Sequence, residues 1–431
     1  MEINGLYQLF QKYPSVTTDT RQCLPGSIFI ALKGSTFNGN AFAQEALEKG
    51  CAYAIVDEAQ YHSHTGKTIL VENCLKTLQQ LANYHRKQMH IPVIGITGTN
   101  GKTTTKELTA AVLSKRYNLL YTQGNLNNHI GVPLTLLHLN PAHEMAVIEM
   151  GASHPGDIKE LAEIAEPDYG IITNVGKAHL EGFGSFENVV RTKGELYDFL
   201  RTREHSTAFV CNESPVLLKA SEGLHAVRYG QKEGLYVEGR MTSCSPFLCL
   251  EWRHANESNF HPARTNLIGT YNLENALAAI AIGSYFNVPP DDINRALADY
   301  RPQNNRSQLK DTGRNQLVID AYNANPSSMM AALQNFRHIT TERKMAILGD
   351  MKELGTDSQA EHQKIADYLM DCHFERTILV GSQFQATKNP FETFPDAPAL
   401  IQKLKRNTPE GYWILIKGSN SMKMAQIANY L

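Results

Sequence analysis

Pro92-Val-Ile-Gly-Ile-Thr-Gly-Thr-Asn-Gly-Lys-Thr-Thr-Thr105 decides how the rest of the chain is read. An apolar run, Val93–Thr97, breaks at Gly98-Thr-Asn-Gly101-Lys102-Thr103 and re-enters as a helical pattern through Lys115. A strand that ends on glycines and restarts as a helix aims unpaired helix amides at an anion, and the glycines let the backbone wrap it. Lys102 adds a point charge and the Thr103 hydroxyl is placed to hold Mg²⁺, so the segment reads as a nucleotide-phosphate loop. Its spacing is GxxGKT: where the general pattern has an earlier glycine, Ile96 stands, with Gly95 one residue too early.

Outward from this loop, Ala146–Met150, Gly170–Val175 and Thr207–Cys211 are apolar runs without polar alternation, separated by helical patterns. Such strands belong in a parallel sheet covered on both faces. Residues 229–265 alternate in short runs (LYVEGR, PFLCLEWRH) and read as an antiparallel insertion on the same domain. Helical segments Asn272–Phe286 and Asp291–Tyr300 follow. Upstream, strand-like runs at Ser27–Leu32, Tyr53–Val56 and Thr68–Val71 close on a helix whose stripe is Leu75, Leu78, Ala82 and His85. Pro92 marks the first boundary, because proline disfavours helix at the residue before it. Arg301-Pro-Gln-Asn-Asn305 reads as a second linker, before runs at Leu317–Asp320, Lys344–Leu348, Thr377–Val380 and Trp413–Lys417. The expected architecture is α/β with three domains: a small N-terminal α/β domain (1–87), a central parallel-sheet P-loop domain (88–300) and a Rossmann-like C-terminal domain (301–431).

The 431 residues match about three domains at roughly 150 residues each. With 41 Lys+Arg against 43 Asp+Glu, the formal charge of −2 argues against a non-specific nucleic-acid binder. No stretch approaches 18 apolar residues, so no membrane span is expected. MEINGLYQLFQKY has no basic flank before an apolar run and does not read as a signal peptide. Seven scattered cysteines without a CxxC pair exclude a disulfide framework and a cysteine zinc site, and fit a reducing cytoplasm. A cytoplasmic monomer is expected.

Ligands of a parallel α/β sheet gather at the carboxyl ends of its strands. Glu149 ends an apolar strand, where an acid needs either a structural partner or a cation. His179 lies in the glycine-rich loop after Gly170–Val175, either exposed or functional, and Lys193 on its own reads as a solvated helix lysine.

GTNGKTTT, the strand-end Glu149, NVGKAH with FGSFENVVRTKGE, and GTYNLENALAA occur in an order that resembles the Mur ligase family over essentially the whole chain. These are ATP-dependent ligases that extend the peptide of the bacterial cell-wall precursor. The same marks admit sibling ligases and folylpolyglutamate synthetases. Asp320-Ala-Tyr-Asn-Ala-Asn-Pro326 and Leu348-Gly-Asp-Met-Lys-Glu-Leu-Gly355 resemble the branch that joins D-alanyl-D-alanine to UDP-MurNAc-tripeptide. A sibling adding one amino acid has a DYAHTP-like motif and an Asp-Asn-Pro-Arg motif, neither of which stands here. Asp19-Thr-Arg21 and Pro25–Gly34 are common to both. Locally, Asn325-Pro326 also reads as an N-cap followed by proline at N1, and Thr356-Asp-Ser-Gln359 as a capping box. Asp320 and Asp350, at the exits of apolar strands, have no such structural reading.

The resemblance implies an acyl phosphate made from ATP and attacked by the incoming amine. Gly98, Thr99, Asn100, Gly101, Lys102, Thr103 and Thr104 would hold the phosphates. Two Mg²⁺ are implied: Thr103 and Glu149 would bind one, while His179 and a carbamylated Lys193 would serve the second. Asn272, Asn275, Arg306, Asp320 and Asn323 match the adenosine side, with Tyr271 where the family often has histidine. Thr20, Arg21, Lys33 and Gly34 would take the uridine end of the substrate. Asn125, Asn127 and Asn128 would face the muramoyl peptide, or form only a polar turn before Pro133. The competing readings are a sibling ligase adding a single amino acid and, in a different class, a P-loop regulatory NTPase.

Overall fold

The computed structural model describes residues 2–63, 66–178, 180–303 and 305–431. It contains three sheets, which follow one another along the chain. Val16–Thr17, Ile28–Ile30, Tyr53–Val56 and Thr68–Leu70 form a four-stranded parallel sheet. Nine strands form the second, with Val93–Thr97 between Met145–Glu149 and Tyr169–Ile172. That position is a switch point: the chain leaves Val93–Thr97 to build one side of the sheet and returns to build the other, opening a crevice at the strands' carboxyl ends. The strands Val93–Thr97, Met145–Glu149 and Thr207–Cys211 are buried at every position, which is why they lack polar alternation. The segment that reads as an insertion extends the edge of this same sheet as antiparallel strands Val237–Cys244, Phe247–His254 and His261–Ile268. Gln308–Asp311 pairs antiparallel with Gln316–Asp320 at the edge of the third sheet, whose remaining pairings are parallel.

The first two sheets share a core. Leu6, Phe10 and Leu78 belong to the same buried apolar cluster as Leu161, Leu196 and Leu217. The bridge between them is the helix Cys74–Met89, started by the Asn73 side chain accepting from the Lys76 amide and stopped at His90 with φ 50°. Its outer face is polar and spent on the central domain. Gln79 Nε2 donates to Glu160 Oε1 (2.7 Å) and Asn83 Nδ2 to the Ile164 carbonyl (3.1 Å). The buried Arg86 donates to the Ala165 (2.9 Å) and Glu166 (2.8 Å) carbonyls and to Asp168 Oδ2 (2.8 Å). These carbonyls end the helix Asp157–Ala165, so Arg86 satisfies groups the helix itself leaves open.

The third sheet has clusters of its own, joined from the central domain by Ile268 and Phe247. Its helix Pro326–His338 begins as the sequence reads: Asn325 caps it in a reciprocal box with Ser328, and Pro326 occupies its first turn. The box expected at Thr356–Gln359 does not form. Gly355–Asp357 is a 3₁₀ turn that runs directly into Ser358–Cys372, and Asp357 is already helical (φ −81°, ψ −5°). With no extended residue at the cap position, no side chain swings back over the first amides.

Removing Arg86 strips a hydrogen bond from the buried Ala165 carbonyl and from the part-buried Glu166 carbonyl and Asp168 carboxylate. Arg86→Met is expected to lower unfolding free energy by about 3 kcal/mol, read as a shifted urea midpoint with little change in slope.

Candidate active site

The phosphate loop is built by two backbone demands. Gly98 has φ +145°, and a Cβ there would lie 2.0 Å from Thr173 Oγ1; Gly101 has φ +77°, with Asn275 Oδ1 only 2.5 Å from where its Cβ would be. The neighbouring strand's exit then ties the loop down. The Thr99 amide donates to the Asn174 carbonyl (2.9 Å), the Asn100 amide to Asn174 Oδ1 (3.0 Å), and Thr173 Oγ1 to the Asn100 carbonyl (2.6 Å). Lys102 opens the helix Lys102–Leu113, and its ammonium turns back onto the Gly98 (2.8 Å) and Thr99 (3.0 Å) carbonyls. Burial pulls its pKa down to about 8, against the pull of Glu149, and Arg306 lowers it further.

Glu149 closes its strand with a side chain 1% exposed. Its Oε1 accepts from Thr103 Oγ1 (3.1 Å) and Asn127 Nδ2 (2.8 Å). Its Oε2 is buried with no hydrogen-bond donor, and Lys106 Nζ stands 3.8 Å away. Thr103 Oγ1 beside an open carboxylate oxygen is a hard-oxygen pair suited to Mg²⁺, an ion that binds through one or two carboxylates and substrate phosphates while keeping water. Among the described residues no group of three His, Cys, Asp or Glu could hold a metal by itself.

These groups form one wall of a cleft of about 820 Å³ whose opposite wall is the C-terminal domain. The Arg306 guanidinium lies 3.8 Å over the Tyr322 ring, and its buried Nε has no acceptor. Asp320 accepts from Lys417 Nζ (2.5 Å) and the Ser307 amide (3.3 Å), and the Tyr271 hydroxyl meets Ser307 Oγ at 2.8 Å. Asn325 Nδ2 donates to Asn100 Oδ1 (2.8 Å) across the cleft.

Of the residues expected from sequence, the cleft brings together Thr99 to Thr104, Asn127, Asn128, Glu149, Asn272, Asn275, Arg306, Asp320 and Asn323. Gly98 lies just behind, as hinge of the loop. Asn272 and Asn275 are buried and already engaged: Asn275 accepts from Thr105 Oγ1 (3.1 Å) and donates to Asn272 Oδ1 (2.9 Å), which anchors their helix to the loop helix. Asn128 Oδ1 accepts the Ile130 (3.1 Å) and Gly131 (2.8 Å) amides, the turn reading of that segment. Asn125 lies off the cleft wall.

Thr20, Arg21, Lys33 and Gly34 are not in the cleft either. Arg21 is exposed and paired with Asp19 (2.7 Å), and Lys33 is paired with Asp57 (3.1 Å) and Glu58 (3.6 Å). His179 lies outside the described residues. Lys193 corrects its sequence reading: it is 2% exposed, with its ammonium 5.5 Å from the Phe183 ring centroid. Burial first, then the Lys102 charge, drive its pKa well below the usual lysine range. A structural role for Asp350, invisible in sequence, is plain here: its carboxylate accepts the Gln383 (3.1 Å) and Phe384 (3.0 Å) amides.

Two buried lysines were missed. Lys417 ends an apolar strand, the same signal that singles out Glu149 and Asp320. Lys106 gave no signal, because residues 102–107 are all polar and nothing local separates the covered positions from the open ones.

Family models for the Mur ligase family catalytic domain, the Mur ligase middle domain and the Mur ligase glutamate ligase domain match residues 12–93, 96–283 and 305–420. The chain belongs to the Mur ligase family. It is 34% identical to the UDP-N-acetylmuramoyl-tripeptide–D-alanyl-D-alanine ligase of Bacillus subtilis, over 96% of this chain and 92% of that one. The Escherichia coli protein of the same name is also 34% identical, over 97% and 93%. Among solved structures, MurF from Acinetobacter baumannii superposes with TM-score 0.85 at 28% identity, covering 98% of this chain and 97% of that one. MurF from Thermotoga maritima, in complex with ADP, gives 0.85 at 26% identity, covering 96% of each.

In this ligase Lys102 is cationic below about pH 8 and neutral above it. A bound phosphate favours the cation and raises that pKa, so binding takes up a proton on the alkaline side. ADP affinity should be flat below pH 7.5 and fall up to tenfold per unit above pH 8. Calorimetry in buffers of different ionisation enthalpy should show proton uptake only in the alkaline range.

Proposed function

We infer that the ligase joins D-alanyl-D-alanine to UDP-MurNAc-tripeptide, converting ATP to ADP and phosphate, in the synthesis of the peptidoglycan precursor. One observation carries the inference. A buried phosphate loop and a strand-end carboxylate face, across a single cleft, the wall of Arg306, Asp320 and Lys417, in a chain whose full length matches ligases of that name.

The chemistry must make a carboxylate electrophilic in water. In our reading the tripeptide's terminal carboxylate attacks the γ-phosphorus of ATP, ADP leaves, and the acyl phosphate is then attacked by the dipeptide amine with loss of phosphate. The loop amides from Gly101 to Thr104 and the Lys102 ammonium would orient the phosphates and offset their charge, the expected main term in phosphoryl transfer, while Thr99 and Asn100 anchor the loop to Asn174. Thr103 and Glu149 would hold a divalent ion, which when bound supplies further charge neutralisation. Arg306, Asp320 and Asn323 would receive adenosine, and Lys417 fixes Asp320 for that duty. The nucleotide would thus bridge the central and C-terminal domains (88–300 and 301–431), while the N-terminal domain (1–87), with Thr20, Arg21, Lys33 and Gly34, would take the uridine end. Asn125, Asn127 and Asn128 would border the muramoyl peptide.

Lys193 suits carbamylation on physical grounds. Addition of CO₂ needs a neutral amine, and burial beside Lys102 keeps this one neutral at lower pH than an ordinary lysine. The product would be an anion able, with His179, to help hold a second divalent ion. No described helix is long and apolar enough to cross a membrane. We place the reaction in the cytoplasm, where ATP and the nucleotide-linked precursor are found, and expect a monomer.

Phosphate release should require UDP-MurNAc-tripeptide and D-alanyl-D-alanine together. Release with a single amino acid in place of the dipeptide would favour a sibling ligase, and release without either acceptor a regulatory NTPase. Lys193→Ala should lose most activity and regain part of it in millimolar short carboxylic acids; full activity in that variant would refute the carbamate.

A further inference from the structure

Lys106 is 1% exposed and has no part in the chemistry above. It lies one turn beyond Thr103 on the same helix face. Its ammonium is 3.8 Å from Glu149 Oε2, 3.7 Å from Glu107 Oε1 and 5.9 Å from the centroid of the Tyr121 ring. Glu107 is held in turn by the Tyr300 hydroxyl, which donates to its Oε2 at 2.5 Å. At 3.8 Å the ammonium acts on Glu149 by Coulomb attraction but stands beyond hydrogen-bond distance. Oε2 therefore keeps its lone pairs while its charge is offset, and no bulk water screens the pair.

We propose that Lys106 is the resident counter-cation of Glu149, a positioning residue that offsets the carboxylate while no divalent ion is present, so that the ion binds with the nucleotide and not alone. This rests on the reading of Glu149 as a metal ligand. A buried carboxylate with no counter-charge is costly and would attract a divalent ion by itself. Lys106 offsets Glu149 from 3.8 Å while shared with Glu107 at 3.7 Å, so the attraction left at Oε2 is weakened and most of the pull on the ion has to come from phosphate oxygens. Glu107, itself held by Tyr300, is a second carboxylate attracting the ammonium, which stands near Oε2 without capping it.

Mn²⁺ binding to the full-length protein, followed by electron paramagnetic resonance without nucleotide at fixed ionic strength, tests the idea. Lys106→Met should bind Mn²⁺ about tenfold more tightly than the wild type, Lys106→Arg should match the wild type, and adding Glu149→Gln to Lys106→Met should abolish the gain. Unchanged or weaker Mn²⁺ binding by a Lys106→Met protein with native circular dichroism overturns the proposal. Lys106→Gln serves the same comparison if the methionine variant does not fold. Glu149→Gln alone separates the two readings. If it leaves Mn²⁺·ADP binding intact, Glu149 is not a metal ligand and both readings fall. If it weakens that binding while Lys106→Met behaves as wild type, only the counter-cation role is lost.

Discussion

The site depends on the backbone break between Thr97 and Lys102. Gly98 and Gly101 both have positive φ, and at each a side chain would meet an atom of the loop's own supports: Thr173 in one case, Asn275 in the other. The same two contacts that exclude a side chain tie the loop to the neighbouring strand exit and to the helix Asn272–Tyr285. Thr99 and Asn100 are therefore bound to Thr173, Asn174 and Gly176, which fixes the loop just ahead of the open amides of Gly101 to Thr104 before any ligand arrives. Electrostatic stabilisation of a transferred phosphoryl group works only when its donors need no reorganisation, and this loop has little left to reorganise.

Charge in the cleft is arranged as neighbouring pairs. Lys102 sits near Glu149, Lys106 between Glu149 and Glu107, and Lys417 against Asp320. Each of these lysines has a carboxylate within reach, so none presents a bare charge. Anionic substrates meet a few aimed donors, and the selectivity lies in their placement.

Much of this was legible in the sequence, and the limits have physical causes. Strand runs such as Thr207–Cys211 were readable because burial on both faces leaves an uninterrupted apolar signature. Charged residues at the ends of such strands stand out because an apolar strand gives them few polar neighbours; Glu149 and Asp320 came from that logic, and Lys417 would have. The same logic misjudged Asp350, whose carboxylate is used on the amides after Gly381, a contact between segments some thirty residues apart that no local pattern encodes. Lys106 and Lys193 were illegible for a related reason. Burial of a helical lysine depends on what packs over it, and an i, i+4 pattern cannot tell a covered polar position from a solvated one. The ion pair of Lys33 with Asp57 likewise depends on a neighbour that only the fold supplies, whereas Arg21 pairs with Asp19 two residues away.

The three sheets are unequally joined. The N-terminal and central sheets share one apolar cluster and the buried bonds of Arg86, whereas the C-terminal sheet meets the centre chiefly through Ile268, Phe247 and side chains lining the cleft. By packing the protein is two bodies, the first two sheets firmly joined and the third more thinly attached along the cleft. Bonds such as Asn325 to Asn100 are the seam, and a molecule filling the cleft would touch both bodies beside them. A compound that spans both lips without being turned over would act as a splint, holding the bodies at one fixed angle. Its potency would then depend on matching that angle as much as on matching either surface.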